Sequence, residues 1–171
     1  TLDSVTNMQL DSYYSNKKTS DFNIEVREGL YMQLWDDIIF DKIIKSELLE
    51  SKEYKYSDLP YYLIKKYLED KYGKSLDKLI RDYIFSKNGM LSLNFNPYKT
   101  IDLNKIVPSE IDDYFRLGEL RGYVHDLGAA MQGGIGGHAG LFGNSLDVAK
   151  MMQLYIPVSY THLRAHETLE N

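Results

Sequence analysis

Three groups of residues in this 171-residue chain combine types and spacings that could do chemistry. The first is Tyr56-Ser57-Asp58, set directly ahead of a helical pattern. A Tyr at such a corner can present its hydroxyl to a cleft, and a neighbouring cation would favour the phenolate, drawing its pKa down from about 10 toward working pH. The bland alternative is a packed Tyr beside a helix-capping Asp. The second group is the glycine-rich run 128–140, in which Gly134, Gly136 and Ala139 fit a G-x-G-x-x-A phosphate loop. That fingerprint needs a buried strand just before it and an acidic residue closing a second strand. Here the preceding Tyr123-Val124-His125-Asp126-Leu127 is short and polar and no such acidic residue follows, which argues against dinucleotide binding. The third group is His125, Asp126 and His138, which would make metal ligands or an acid and base pair if the chain folds back between them. In a turn, the same residues more often satisfy backbone groups.

Weaker patterns carry less. Ser-x-x-Lys occurs at Ser15 to Lys18 and at Ser75 to Lys78, but 13 Ser and 15 Lys in a chain of this length make chance matches expected. Ser15 sits in a polar stretch with no apolar period, and Ser75 is better explained as a helix cap. Gly73-Lys74-Ser75 imitates the end of a P-loop, but the earlier glycine that motif requires is Leu68. His162 and His166 have the i, i+4 spacing of a metal site on a helix face. They fall within residues 158–168, VSYTHLRAHET, which look like one reading frame of a sequencing adapter translated as protein. Residues 157–171 are therefore expected to be extraneous, and residues 1–156 to be one partial domain. The chain begins at Thr1 with no charged-then-apolar leader, so its start is expected to be internal.

The elements that must position these residues are mainly helical. Over residues 26–49, Leu30, Leu34, Ile38, Ile39 and Ile43 recur at three- and four-residue steps, which predicts a helix with a possible break near Asp36. Residues 59–72 repeat the pattern through Leu59, Tyr62, Leu63, Tyr67 and Leu68, with Ser57 or Asp58 as cap, Pro60 in the first turn and Gly73 as stop. A third helix should start after Ser75, bury Leu76, Leu79, Ile80, Tyr83 and Ile84, and end at Asn88-Gly89. Residues 91–105 read as loop with at most one short extended piece. Nine of the twelve glycines fall between Gly118 and Gly143, a stretch that must turn tightly or admit a close backbone approach. A last helix is predicted over about 145–155.

Composition removes several functions. Twenty Lys plus Arg against 25 Asp plus Glu leave a net charge of −5, so no broad basic field exists to grip nucleic acid. No apolar run approaches the roughly 18 to 20 residues of a membrane span. The absence of cysteine excludes disulfides, thiolate zinc sites and a cysteine nucleophile.

Tyr56-Ser57-Asp58-Leu59 leading into Tyr62-Leu63-Ile64, then Gly73 and Asn88-Gly89-Met90, resembles the second box of serine beta-lactamase-like hydrolases, the relatives of class C beta-lactamases and penicillin-binding proteins. Ile106-Val107-Pro108-Ser109-Glu110, Phe115-Arg116, Arg121-Gly122-Tyr123-Val124-His125-Asp126 and Gly136-Gly137-His138-Ala139-Gly140-Leu141-Phe142 look like a subgroup often found as the C-terminal partner of family 3 glycoside hydrolases. The likeness covers about 54–155 well and 1–53 loosely. It implies a mostly α piece: the helical lobe of an α/β (α+β) serine beta-lactamase/transpeptidase-like fold whose antiparallel sheet is largely missing here. It implies acyl transfer, in which a Ser attacks a carbonyl, a Lys three residues later helps deprotonate it, and the Tyr of the second box shuttles protons.

Tyr56 matches that Tyr. Asp58 stands where the family usually has Asn, so it can accept from but not donate to a substrate amide. His138-Ala139-Gly140 imitates the family's last box, which makes His138 a weak candidate for substrate binding, although that segment falls ahead of the final helix. The nucleophile and the true last box are expected outside the chain, leaving it inert alone. No cofactor or metal is implied. The implied partners are a small-molecule or peptidoglycan-derived substrate and an N-terminal glycoside hydrolase domain, outside the cytoplasm and in the periplasm, with no nucleic acid and no membrane span. The competing class is a non-catalytic module on the same fold that holds a cell-wall fragment or a partner domain.

Overall fold

The computed structural model describes residues 13–47, 50 and 53–167, the last eleven by their backbone. Where a single helix is expected over residues 26–49, the chain first makes a hairpin. Strand β2 (Ile24–Arg27) turns at Glu28-Gly29 into β3 (Leu30–Met32), and β1 (Tyr14–Ser15) pairs antiparallel with the other edge of β3. The helical reading fails because Leu30 and Leu34 fit a step of four as well as a strand fits a step of two. The deciding residues are β-branched Ile24 and Val26 and a left-handed Gly29 (φ 70°) that closes the turn. Helix α1 starts only at the expected break, Asp36–Ile44, and buries no residue; the expected end at Leu49 lies outside the described residues.

Helix α2 occupies Leu59–Tyr72, as its caps predict: Pro60 lies in the first turn, and Gly73 (φ 62°) ends it by donating its N–H to Glu69 O at 2.9 Å. Helix α3 (Leu76–Ile80) is shorter than expected. It widens into a π turn at Arg81–Phe85 and tightens into a 3-10 turn at Ser86–Asn88 before left-handed Gly89. The extra residue in the wide turn rotates the stripe, so Phe85 is buried while Tyr83 and Ile84 stay exposed.

The remainder is short strands and turns. β4 (Asn94–Phe95) pairs with β7 (Leu141–Phe142), and β5 (Pro108–Asp112) with β6 (Gly118–Arg121), both antiparallel. Between the last two partners of the longer sheet and β7 sits α4 (Leu127–Met131), capped by Asp126, whose Oδ1 accepts from Ala129 N at 2.7 Å. Helix α5 (Ser145–Glu167) runs past its predicted end near Tyr155.

Two apolar clusters hold these parts. Val26, Leu30 and Met32 of the hairpin meet Val124, Ala129 and Ala130, while Phe85, Met90 and Leu93 form a second cluster that Met151 of α5 covers. Arg116, fully buried, ties the β5–β6 hairpin to the segment leading into α4. Its Nε donates to Asp112 Oδ2 at 2.7 Å, and its guanidinium also donates to the carbonyls of Val124 and His125. Burial alone would raise the pKa of Asp112, but the Arg116 side chain and the N–H groups of Phe115, Arg116 and Tyr114 outweigh it and hold the carboxyl below its usual range.

Candidate functional site

The corner that enters α2 carries two of the residues singled out by type. The Tyr56 hydroxyl donates to Asp58 Oδ1 at 3.2 Å, and Ser57 Oγ rather than Asp58 takes the helix N–H, from Leu59 at 3.2 Å. Tyr56 is 77% exposed. The hydrogen bond to Asp58, and then the Asp58 charge, push its pKa up from 10.0 rather than down. Among the described residues no cation pairs with Asp58, so the phenol keeps its proton at neutral pH.

The glycine-rich run wraps this end of α2, and two glycines are required by how closely it does so. A Cβ on Gly137 would strike the Tyr61 carbonyl in the backbone of α2, and one on Gly128 would strike the Tyr62 hydroxyl. The approach stacks His138 on Tyr62, ring centroids 4.7 Å apart and planes 20° from parallel. His138 Nε2 lies 2.9 Å from Asp126 Oδ1. Burial would raise the pKa of Asp126, but the Ala129 N–H and His138 lower it on balance, so the carboxylate is charged and only accepts. Nε2 must therefore carry the proton. Nδ1 is buried without a partner. His138 is thus a carboxylate-oriented imidazole, its side chain 5% exposed, fixed beneath the α2 corner.

Behind Tyr62 lies a polar group that composition and motifs do not disclose. Lys65 is the one buried residue of α2. Its Nζ donates to Asp36 Oδ2 at the start of α1 and to Gln132 Oε1 at the end of α4, both at 3.0 Å. Tyr62 has a raised pKa, chiefly from burial and the Asp126 charge, with the nearby Gln132 amide pulling the other way and the more distant Asp58 and Asp36 charges adding to the rise. Asp58, Tyr62, Lys65 and Glu69 follow one another at steps of four, three and four, so they line one helix face. That face meets the rest of the molecule; of the predicted stripe, Tyr62 and Leu68 are half-buried, while Leu59, Leu63 and Tyr67 are exposed. The spacing was the available signal, concealed because a lysine in a helical repeat ordinarily reads as solvated.

The other candidates fall elsewhere. Ser15 is on the edge strand β1, its hydroxyl donating to Lys17 O at 2.7 Å. Ser75 takes the N-cap position of α3 without a capping hydrogen bond, and Glu69 Oε1 instead receives the Leu76 N–H at 2.8 Å. The run around Gly134 follows α4 and leads into β7, so it is not the strand–loop–helix of a dinucleotide site. His125 is exposed, and its charge is the last of the causes that lower the Asp126 pKa. Among the described residues no three His, Cys, Asp or Glu side chains converge as metal ligands, and the His162 and His166 side chains lie outside them.

The chain is 34% identical over 110 residues to a protein of Escherichia coli (strain K12) named "Putative D-alanyl-D-alanine carboxypeptidase", covering 57% of this chain and 25% of that one. Proteins of the same name from Salmonella agona (strain SL483) and Salmonella enteritidis PT4 (strain P125109) are 30% identical over 113 residues, covering 59% of this chain and 26% of theirs. The chain thus spans about a quarter of the length of the curated relatives it matches. No family model matches the chain. No solved structure gives a significant match.

Proposed function

We propose that this chain is the helical-lobe portion of a penicillin-binding-protein-like serine acyl hydrolase, acting on a D-alanyl peptide, a beta-lactam or a small ester. The observation that carries the reading is the Tyr56–Asp58 corner heading α2, in a chain similar to proteins named for D-alanyl-D-alanine carboxypeptidase action. In the reaction, a Ser hydroxyl from elsewhere in the protein attacks the carbonyl, its proton passes to a Lys, and the amine leaves as the acyl-enzyme forms. A protonated Tyr56 suits the second half of that exchange, because the departing nitrogen needs a proton and this phenol holds one at neutral pH. Water then releases the acyl group. By itself the present chain is inert on this reading, since neither Ser-x-x-Lys match sits beside Tyr56 in a buried helix.

The reading places the protein outside the cytoplasm, in the periplasm, where peptidoglycan fragments are found, with a family 3 glycoside hydrolase domain as a candidate neighbour. Among the described residues no helix is long and apolar enough to cross a membrane. One observation favours the second reading, a silent wall-binding module: Tyr56 leans on a carboxylate with no cation beside it among the described residues, the reverse of an activated phenol.

Labelled penicillin and a D-alanyl-D-alanine peptide, each presented to the full-length protein, decide between them. The hydrolase reading expects a covalent adduct and D-alanine release, with Tyr56→Phe lowering kcat/KM by about 10²- to 10⁴-fold. Neither adduct nor release would leave the binding module.

A further inference from the structure

Between β4 and β5 the chain bends around a cleft of about 300 Å³, bounded also by Phe142, Gly143 and Asn144 at the end of β7. Two 3-10 turns, Pro97–Lys99 and Leu103–Lys105, shape the bend. Their backbone N–H groups are spent within the turns: Thr100 and Ile101 donate to Pro97 O at 3.0 and 2.8 Å, and Ile106 donates to Leu103 O at 3.0 Å. What this wall offers the cleft is hydrocarbon, from Pro97, Ile101, Ile106 and Val107, to which β7 adds the Phe142 ring. None of the buried side-chain atoms left without a partner among the described residues lies here. No orphaned group therefore calls for an ordered water, which needs roughly two to four polar partners.

The polar side chains of the lining are Ser92, Asn144 and Lys105. Ser92 is already engaged, its Oγ accepting from Asn144 N at 3.1 Å and bonded to Asp147. Asn144 caps α5 through Oδ1, which accepts from Asp147 N at 2.8 Å, and its Nδ2 is left to donate elsewhere. Lys105 Nζ has no ion pair or hydrogen bond among the described residues. Each free polar side chain here is thus a donor, so a guest whose head only donates is refused. No carboxylate lines the cleft. Asp147, behind Ser92, is paired with Lys150 at 2.8 Å, and Asp102 is bonded to Asn104 N at 3.0 Å. The one charge facing a guest is positive, and the walls are apolar. An accepting, negatively charged head on a hydrocarbon body matches both.

We infer that this cleft binds a small apolar carboxylate, its hydrocarbon against Ile101, Ile106, Val107 and Phe142 and its carboxylate accepting from Lys105 Nζ and Asn144 Nδ2. The volume equals about ten waters at about 30 Å³ each, room for a chain of roughly eight carbons. No residue of α2 lines the cleft. The site therefore stands apart from Tyr56, and binding here does not rest on acyl transfer.

The test titrates the full-length protein separately with octanoate and octanamide, which differ in head charge, following Ile and Val methyl shifts by NMR. Octanoate is expected to move the Ile101, Ile106 and Val107 methyls and to saturate with a Kd on the order of 1 mM. Octanamide should bind about three- to fivefold more weakly. Lys105 is exposed, so Lys105→Gln is compatible with the fold and should erase that preference while leaving octanamide binding nearly unchanged. Asn144→Asp keeps a capping oxygen but replaces the donor by a charge of the wrong sign, and should weaken octanoate more than octanamide. Damage to folding would weaken both ligands alike and leave their ratio intact. Equal binding of the two ligands, or a preference for octanoate that survives Lys105→Gln, overturns the proposal. Failure to saturate at about twenty times that Kd, or methyls that do not move, also overturns it and assigns the cleft to packing against the rest of the protein.

Discussion

Tyr56 and Asp58 are two residues apart and hydrogen-bonded, and that contact sets the phenol's acidity. Replacing the carboxylate by an amide removes both the charge and the strong acceptor. Asp58→Asn is therefore expected to lower the Tyr56 pKa toward 10.0, read from its ring carbon shifts across an alkaline titration; an unchanged value would mean that the contact is not formed in solution. At this scale, residue type revealed half of the site. Tyr56, Asp58 and His138 stand out as chemically capable, and Tyr62 bridges them, stacked on His138 and reached by the Asp58 charge. Asp36, Lys65 and Gln132 are invisible by type, because a buried ammonium is recognisable only once its two oxygen partners, 29 and 67 residues away along the chain, are known.

Among the elements, α2 was the most legible, since proline at the start and glycine at the end punctuate it independently of its packing. Which face it buries is less so, because three of the five residues in its apolar stripe, Leu59, Leu63 and Tyr67, are exposed. The β2–β3 hairpin was misread through Leu30 and Leu34, residues that serve either period. In α3, no residue announces the π turn that swings Phe85 inward. The glycine-rich run was correctly expected to permit a close approach, without a hint of what approaches. That approach is testable at Gly137, where a methyl group meets backbone that cannot rotate away. Gly137→Ala is expected to cost about 1–3 kcal/mol in a denaturant titration and to perturb the Tyr62 and His138 ring signals together. An effect below about 0.5 kcal/mol would mean that the run does not lie against α2.

Across the whole molecule, carboxylates with lowered pKa tie distant parts together: Asp112 in the β5–β6 hairpin, Asp126 at α4 and Asp147 at the start of α5. Asp147 is held down to about 2, first by Lys150 and then by the Ser92 N–H, which bridges α5 to the segment after Gly89. A folded pKa below the unfolded one means that stability is fully present above the unfolded value of 3.8 and is lost as pH falls through the folded one. Thermal stability should therefore decline between pH 4 and about 2, and Asp147→Asn should flatten that decline while already being less stable at pH 7. A variant with the parent's acid profile would remove Asp147 from this role.

The one buried residue of α2 has a mechanical meaning as well. Lys65 sits seven residues after Asp58, about 10 Å along the axis. A greasy interface tolerates sliding, whereas an ammonium pinned by two oxygens gives the rod a pivot. Any tilt about that pivot is magnified at the Tyr56 tip, so the aim of a phenol near the surface is governed by a cation it never touches.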